Sequence, residues 1–554
     1  MRNPARIPGV AIAAALLLPV TIHAGDTYPG YGYEPTKKEH IGEKEYSPFL
    51  NIGYPQRVYW GDTHLHTSLS TDAGMIGNRL GPEEAYRFAR GETVTSSTGV
   101  RARLQRPLDF LVAADHAENL GLAPMIAEKN PDLLKLEFGK KIAQLVYDGK
   151  YGEAYALWGE GMSTRKDPLA GQEALTRTMW ERLTEAGEKF NEPGRFTALL
   201  GFEWTSSPSG NNLHRNVILR DGKDEVDQVL PFSNYDSTDP EDLWAWMQAY
   251  EEKTGGRALA IAHNGNLSNG LMFDDVTFSG KKIDRAYAEQ RMRWEPIYEV
   301  TQMKGDGEAH PALSPNDEFA DYGTWDKGSF GPEPKTAEML PREYAREAYK
   351  RGLKYEENLG ANPFKFGMVG ASDNHVGLTT ADNDNFFGKF KQYEPNPHRS
   401  NHISKENKEN GAQLNSWQYI TAGLTAVWAT ENTREAIWDA MARREVYGTS
   451  GDRILLWFDL LNPGGSTGRS VPMGCQASLA TAPIFQVRAV GSFEQEPGCP
   501  DYAVNSLSEE RLQHLCKGEC YNPSDERKAI TRIEVVRIRP QMRRDEPIAE
   551  LIED

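Results

Sequence analysis

Five short apolar runs that each end in histidine or acid, with helical patterns between several of them, predict an α/β protein built on a parallel sheet or barrel. The runs are residues 58–60, 108–114, 196–202, 258–262 and 366–371, each long enough for a buried strand. Active sites of such folds gather where the loops at the C-terminal strand ends converge, and there these runs deliver His64 and His66, Asp115 and His116, Glu203, His263, and Asp373 and His375. A chain of 554 residues has ample capacity for one large domain with insertions, or for two or three domains.

Taken in order, Val58, Tyr59 and Trp60 form the first strand and Gly61 frees the backbone before His64-Leu-His66. Residues two apart on an extended segment face the same side, so both imidazoles address one place, and the turn that follows brings Asp72 round as an oxygen donor. The segment 82–90 opens on proline and two acids and ends in arginine, which predicts a short helix. His214 precedes the apolar 217–219, and residues 239–252 and 341–351 read as helices. Residues 117–195, with long helical pieces at 135–158 and 172–190, and residues 270–360 read as insertions that wall a pocket. The polar stretch 382–413 reads as an exposed excursion. Residues 424–429 form a further strand and 432–444 a capped helix. From residue 453 the apolar runs 454–461, 484–490 and 530–538 follow without intervening helices and predict a small β-rich appendage.

Residues 1–24 combine Arg2 and Arg6, an apolar run at 10–22 interrupted by Pro19, and Ala24, which predicts a cleaved export signal rather than a membrane anchor. An extended arm at 25–57 follows. Localisation is therefore expected to be periplasmic or secreted, with no stable membrane span. The formal charge of −18 becomes about −20 without the two arginines, which disfavours a nucleic-acid partner. Cys475, Cys499, Cys516 and Cys520 are expected to form two disulfides in one of three pairings; a zinc knuckle fits poorly because Cys516 and Cys520 have no CxxC partner.

Six of the 12 histidines, His64, His66, His116, His214, His263 and His375, occupy strand-end positions together with Asp72, Glu203 and Asp373. So many ionisable groups on one rim are costly unless a cation pairs them, so these nine are the candidate metal ligands. Imidazole with carboxylate suits zinc, manganese or iron.

His64-Leu-His66, Asp115-His116, Glu203, His214, His263 and Asp373-Asn-His375 together resemble the motifs of the polymerase-and-histidinol-phosphatase (PHP) superfamily of metal-dependent phosphoesterases. The chain also resembles a secreted PHP-like group known only as a domain of unknown function. The motifs span residues 58–375 and leave the tail without chemistry. The resemblance implies a distorted seven-stranded (β/α) barrel at 58–452 with two or three divalent ions. His64, His66, Glu203 and Asp373 would hold one, Glu203 with His214 and His263 a second, and Asp72, His116 and His375 a third. Many members have histidine where Asp72 stands, which favours a harder metal than zinc there.

Adjacent divalent ions would supply hydroxide near neutrality and clamp a phosphoryl centre, so hydrolysis of a small phosphate mono- or diester is the expected reaction, with Glu203 and Asp373 at its centre. Arg215, Asn264, Asn266 and Lys304 are candidates for holding the substrate's anionic group, with Arg215 also placed at the chemistry and His310 as a general acid. Two other classes stay open: a metallohydrolase of a sulfate, carboxyl ester or amide, and a non-catalytic metal-binding protein. The Gly-Thr-Ser of residues 447–451 lacks the GxSxG elbow of a serine hydrolase.

Overall fold

The computed structural model describes residues 55, 57–540 and 551–553, except 105, 326–328, 330–332, 383–384, 407–412, 464–469 and 517–520. The expected signal and most of the arm lie outside the described residues, as do Cys520 and the side chain of Cys516.

Ten strands form one curled sheet: β1 (Arg57–Leu65), β2 (Phe110–Ala113), β3 (Thr197–Trp204), β4 (Arg215–Leu219), β5 (Ala258–His263), β6 (Ile297–Gln302), β7 (Gly305–Asp306), β8 (Gly367–Gly370), β9 (Leu424–Ala429) and β10 (Val446–Thr449). Nine lie along its path in the order β8-β6-β5-β4-β3-β2-β1-β9-β10, with β7 pairing off β6. The architecture is that of a half-barrel rather than a plain seven-strand count. Pairs β1–β2, β2–β3, β5–β6 and β6–β8 are parallel, whereas β4 runs antiparallel to both neighbours. That reversal explains why His214 precedes its strand while the other site residues follow theirs: the start of β4 lies at the end where β3 and β5 finish. Beyond β8 the chain turns back to β1, where Asp373 N donates to His64 O at 2.7 Å and His66 N donates to Asn374 O at 2.9 Å.

The strands expected near 58, 108, 196, 258, 366 and 424 are all present, within a few residues. β6 is an addition. It lies inside the stretch read as an insertion, because its polar residues Glu299, Thr301 and Gln302 obscure a strand that is nonetheless fully buried. The helical stretch 135–158 divides into helices Glu137–Tyr147 and Tyr151–Thr164 around the turn at Gly149, whose φ is +74°. Helix Arg434–Ala442, capped by Thr433 Oγ1 on Ala436 N, packs Ile437, Trp438 and Met441 against Tyr59, Phe110 and Leu259. This apolar plug fills the end of the curl opposite the histidines.

After β10 the described residues form two-stranded sheets, including Leu455–Leu460 with Phe485–Val490. Contrary to expectation the tail also holds helices, Asp501–Ser506 and Glu509–Cys516. Its first strand lies against the main sheet, where Trp428 Nε1 donates to Leu456 O at 3.1 Å. No helix among the described residues is long and apolar enough to cross a membrane.

Gly61 sits where any Cβ would overlap the ring of Phe110 on the neighbouring strand. Gly61→Val is expected to lower stability by about 1–3 kcal/mol through overpacking, read by denaturant unfolding.

Candidate metal centre

The strand ends deliver their side chains to one buried cluster. Asp115 braces the first turn from below: Oδ1 accepts from Thr67 N and Ser70 N at 2.5 and 3.2 Å, and Oδ2 from Thr67 Oγ1 at 2.7 Å. Asp62 ties this turn to the β8 loop, accepting from His64 N and Ser372 N, both at 3.0 Å, and from Thr379 Oγ1 at 2.7 Å. All four oxygens are taken up by the chain and Asp115 belongs to none of the possible cation groups among the described residues, so it is a scaffold residue. Asp373 and Asn264 adopt positive φ, +52° and +53°, a rare conformation that the surrounding bonds must hold in place.

At the centre stands Glu203. Its Oε1 lies 2.7 Å from His214 Nδ1 and 3.0 Å from His263 Nε2, and its Oε2 lies 3.2, 3.1 and 3.5 Å from Nε2 of His64, His66 and His116. One carboxylate thus divides five imidazoles into two sets. Asp373 Oδ1 approaches His66 Nε2 at 3.3 Å and His64 Nε2 at 3.6 Å. On the outer side Asp72 Oδ2 faces His375 Nε2 at 2.7 Å and His116 Nε2 at 3.4 Å. All nine residues singled out as ligands therefore converge. The possible cation groups are His64, His66 and Glu203; His116, Glu203 and His214; His66, Asp72, His116 and His375; and His64, His263 and Glu299. These groupings place His66 with the Asp72 set and His116 in two sets, where the resemblance implied a simpler partition.

Hydrogen bonds to their other nitrogens orient most of the imidazoles. His64 Nδ1 faces Glu299 at 3.0 Å, His66 Nδ1 faces Ser70 Oγ at 3.1 Å, His116 Nδ1 faces Thr205 Oγ1 at 2.7 Å and His214 Nε2 faces Ser207 Oγ at 2.8 Å. With those nitrogens engaged, the remaining ones point at the carboxylates. His66 Nε2 is fully buried beside Glu203 and Asp373 yet forms no hydrogen bond, and His263 Nδ1 is likewise without one. A buried nitrogen such as His66 Nε2, which converges on two carboxylates without a hydrogen bond, suits a metal ion, and the N/O donor set of the cluster fits a divalent one.

Electrostatics agree. Four carboxylates, Asp72, Glu203, Asp373 and Glu299, face two ammonium groups, Lys304 and Lys389. Burial works against charge on Glu203, but His116, His263 and His64 hold its carboxyl well below the usual range. Burial likewise opposes a proton on His64, yet Glu299, Asp373 and Glu203 push it up to about 10; burial carries His214 and His375 down to about 3.

The remaining expectations divide. Lys304 reaches the cluster, its Nζ 2.5 Å from Asp373 Oδ2. Asn264 touches it through Gln302, whose Nε2 donates to Asn264 Oδ1 at 2.8 Å and to Asp373 Oδ2 at 2.6 Å. Asn266 instead donates to Lys304 O at 2.9 Å and positions that loop. Arg215 turns away from its neighbour His214, as adjacent extended residues do, and pairs with buried Glu295 at 3.0 Å; its expected role in chemistry and anion binding finds no support in this placement. His310 packs 5.2 Å from the ring of Tyr344 and accepts from Ala312 N at 3.1 Å, within its own loop rather than among the ligands.

Sequence reading passed over Glu299, Gln302 and Lys389. Lys389 lies in the stretch read as an exposed excursion but is 2% exposed, anchored beside Phe387 and Tyr393. Its Nζ bonds Asp373 Oδ1 and lies 3.0 Å from His375 Nδ1; burial lowers its pKa to about 8. Only the alternation of Glu299 with Tyr298 and Val300 hinted at β6.

The family model described as "Protein of unknown function (DUF3604)" matches residues 54–459, and the chain belongs to that family. Among solved structures it is similar to a two-domain protein from Bacteroides vulgatus containing a predicted PHP-like metal-dependent phosphoesterase, with 12% identity and a TM-score of 0.31. That match covers 72% of this chain and 66%, just under two thirds, of the other. Comparison with the curated proteins finds no match.

Arg215→Met is expected to cost roughly 3 kcal/mol by leaving Glu295 short of a partner, while the folded protein keeps its full metal content. Denaturant unfolding and elemental analysis read the two effects separately.

Proposed function

We propose that the chain is an exported metal-dependent hydrolase that cleaves a small phosphate ester at this cluster, with 58–452 as the catalytic unit and 453–554 as an appendage. The observation that carries the reading is His66 Nε2, buried against Glu203 and Asp373 with no hydrogen bond, at the centre of a wholly imidazole and carboxylate donor set.

His64, His66, Glu203 and Asp373 would hold one ion, His214 and His263 with the far oxygen of Glu203 a second, and Asp72, His116 and His375 a third. Divalent ions held there supply a water acidified toward neutrality and positive charge for a phosphoryl group. The chain's own part is orientation and access. His64 and His66 are fully enclosed, whereas Asp72, His116 and His214 keep 16%, 10% and 10% of their side chains exposed, so substrate approaches over that side. Helix Tyr151–Thr164, within the stretch expected to wall a pocket, brings the part-exposed Tyr155 near Asp72. Lys304, 11% exposed in its side chain, lies on Asp373 and offers an ammonium to an anionic substrate oxygen.

Purified protein loaded with manganese or zinc is expected to hydrolyse members of a panel of phosphomonoesters and phosphodiesters and to lose activity to a chelator. Glu203→Gln should lower bound metal and reduce turnover ~100-fold or more, since even partners one layer behind a ligand are felt on that scale. Turnover of only sulfates, carboxyl esters or amides would replace the substrate class. A Glu203→Gln variant with normal metal and rate would end the proposal.

A further inference from the structure

His116 belongs to both the inner and the outer candidate groups, its Nε2 3.4 Å from Asp72 Oδ2 and 3.5 Å from Glu203 Oε2. Which group it serves depends on how its ring is held. Behind it, Thr205 Oγ1 lies 2.7 Å from His116 Nδ1 and donates to Glu118 Oε2 at 2.7 Å. Glu118 is fully buried and its other oxygen accepts from Thr205 N at 3.2 Å and Asn234 N at 2.8 Å. Two chain segments thus fix one carboxylate two hydrogen bonds away from the imidazole, and nothing in the proposed chemistry uses it.

We propose that Thr205 and Glu118 are positioning residues for His116, holding it as the Nδ1–H tautomer with Nε2 aimed into the gap between Asp72 and Glu203. The inference rests on the metal-centre reading above. An ion on Nε2 requires the ring proton on Nδ1, which donates to Thr205 Oγ1. The threonine has a single hydroxyl hydrogen, which then goes to Glu118 Oε2, a carboxylate that only accepts. Every proton in the chain is accounted for, and its direction is set by the ion. Thr205 ties Glu118 to a ligand without bringing the carboxyl group into the cluster, and it pins the ring at the open side where substrate enters. Glu299 stands in the same relation to His64, directly and without an intermediary.

The test uses the full chain, freed of metal and titrated with manganese(II) or zinc(II) alone. Thr205→Ser keeps the hydroxyl and is expected to match the wild type. Thr205→Val keeps the shape, loses the hydroxyl, and is expected to bind about one ion per chain 10–100-fold more weakly, with the other sites unchanged, beside a modest drop in the metal-free melting temperature from the hydrogen bond that Glu118 loses. Equal affinity in the valine and serine variants overturns the positioning role, as does a valine variant whose only change is a lower metal-free melting temperature. If Thr205→Val does not fold, Glu118→Gln takes its place, with the same loss expected and unchanged affinity overturning the proposal. A wild-type chain that takes up no metal overturns the metal-centre reading itself and this inference with it.

Discussion

A single buried carboxylate organises this molecule. Glu203 stands within 3.5 Å of ring nitrogens from five histidines that come from three different strand ends and one strand start. Removing such a charge from water costs several kcal/mol unless compensated, and the compensation here arrives from residues up to 139 positions away in sequence. The curl of the sheet, the reversal of β4 and the return of the chain from β8 to β1 are what make that convergence possible. An apolar plug closes the other end, so the polar cluster occupies one end and an apolar cluster the other.

Around the carboxylate lies a layer that keeps ligands in place. Asp62 and Asp115 hold backbone rather than ions, Ser70, Thr205 and Ser207 occupy the outward imidazole nitrogens, and Glu299 does so for His64. Such partners fix tautomers, and a metal site is only as precise as the groups behind its ligands. Lys304 and Lys389 sit on Asp373 from two sides, which offsets part of the carboxylate excess while leaving positive charge beside the place an anionic ester would occupy.

Much of this was legible in the chain. Apolar runs that end in histidine or acid state both a strand and its business end, so β1, β2, β3, β5 and β8 and all nine converging side chains could be read directly. β6 could not: Ile-Tyr-Glu-Val-Thr-Gln carries polar residues that look solvent-facing until a polar cluster exists for them to face. Lys389 was hidden for a similar reason, in a polar stretch whose aromatic anchors give no sign of what they cover. Arg215 misled by adjacency, since a neighbour of a ligand on an extended segment points the opposite way and here finds Glu295.

Anomalous diffraction from crystals of the protein grown with manganese(II) tests the central claim most directly. Two or three peaks between the strand ends, with the two oxygens of Glu203 on different ions, are the expected result. Ions found only on exposed surface carboxylates, with the imidazoles around Glu203 joined to it by hydrogen bonds alone, would contradict the account.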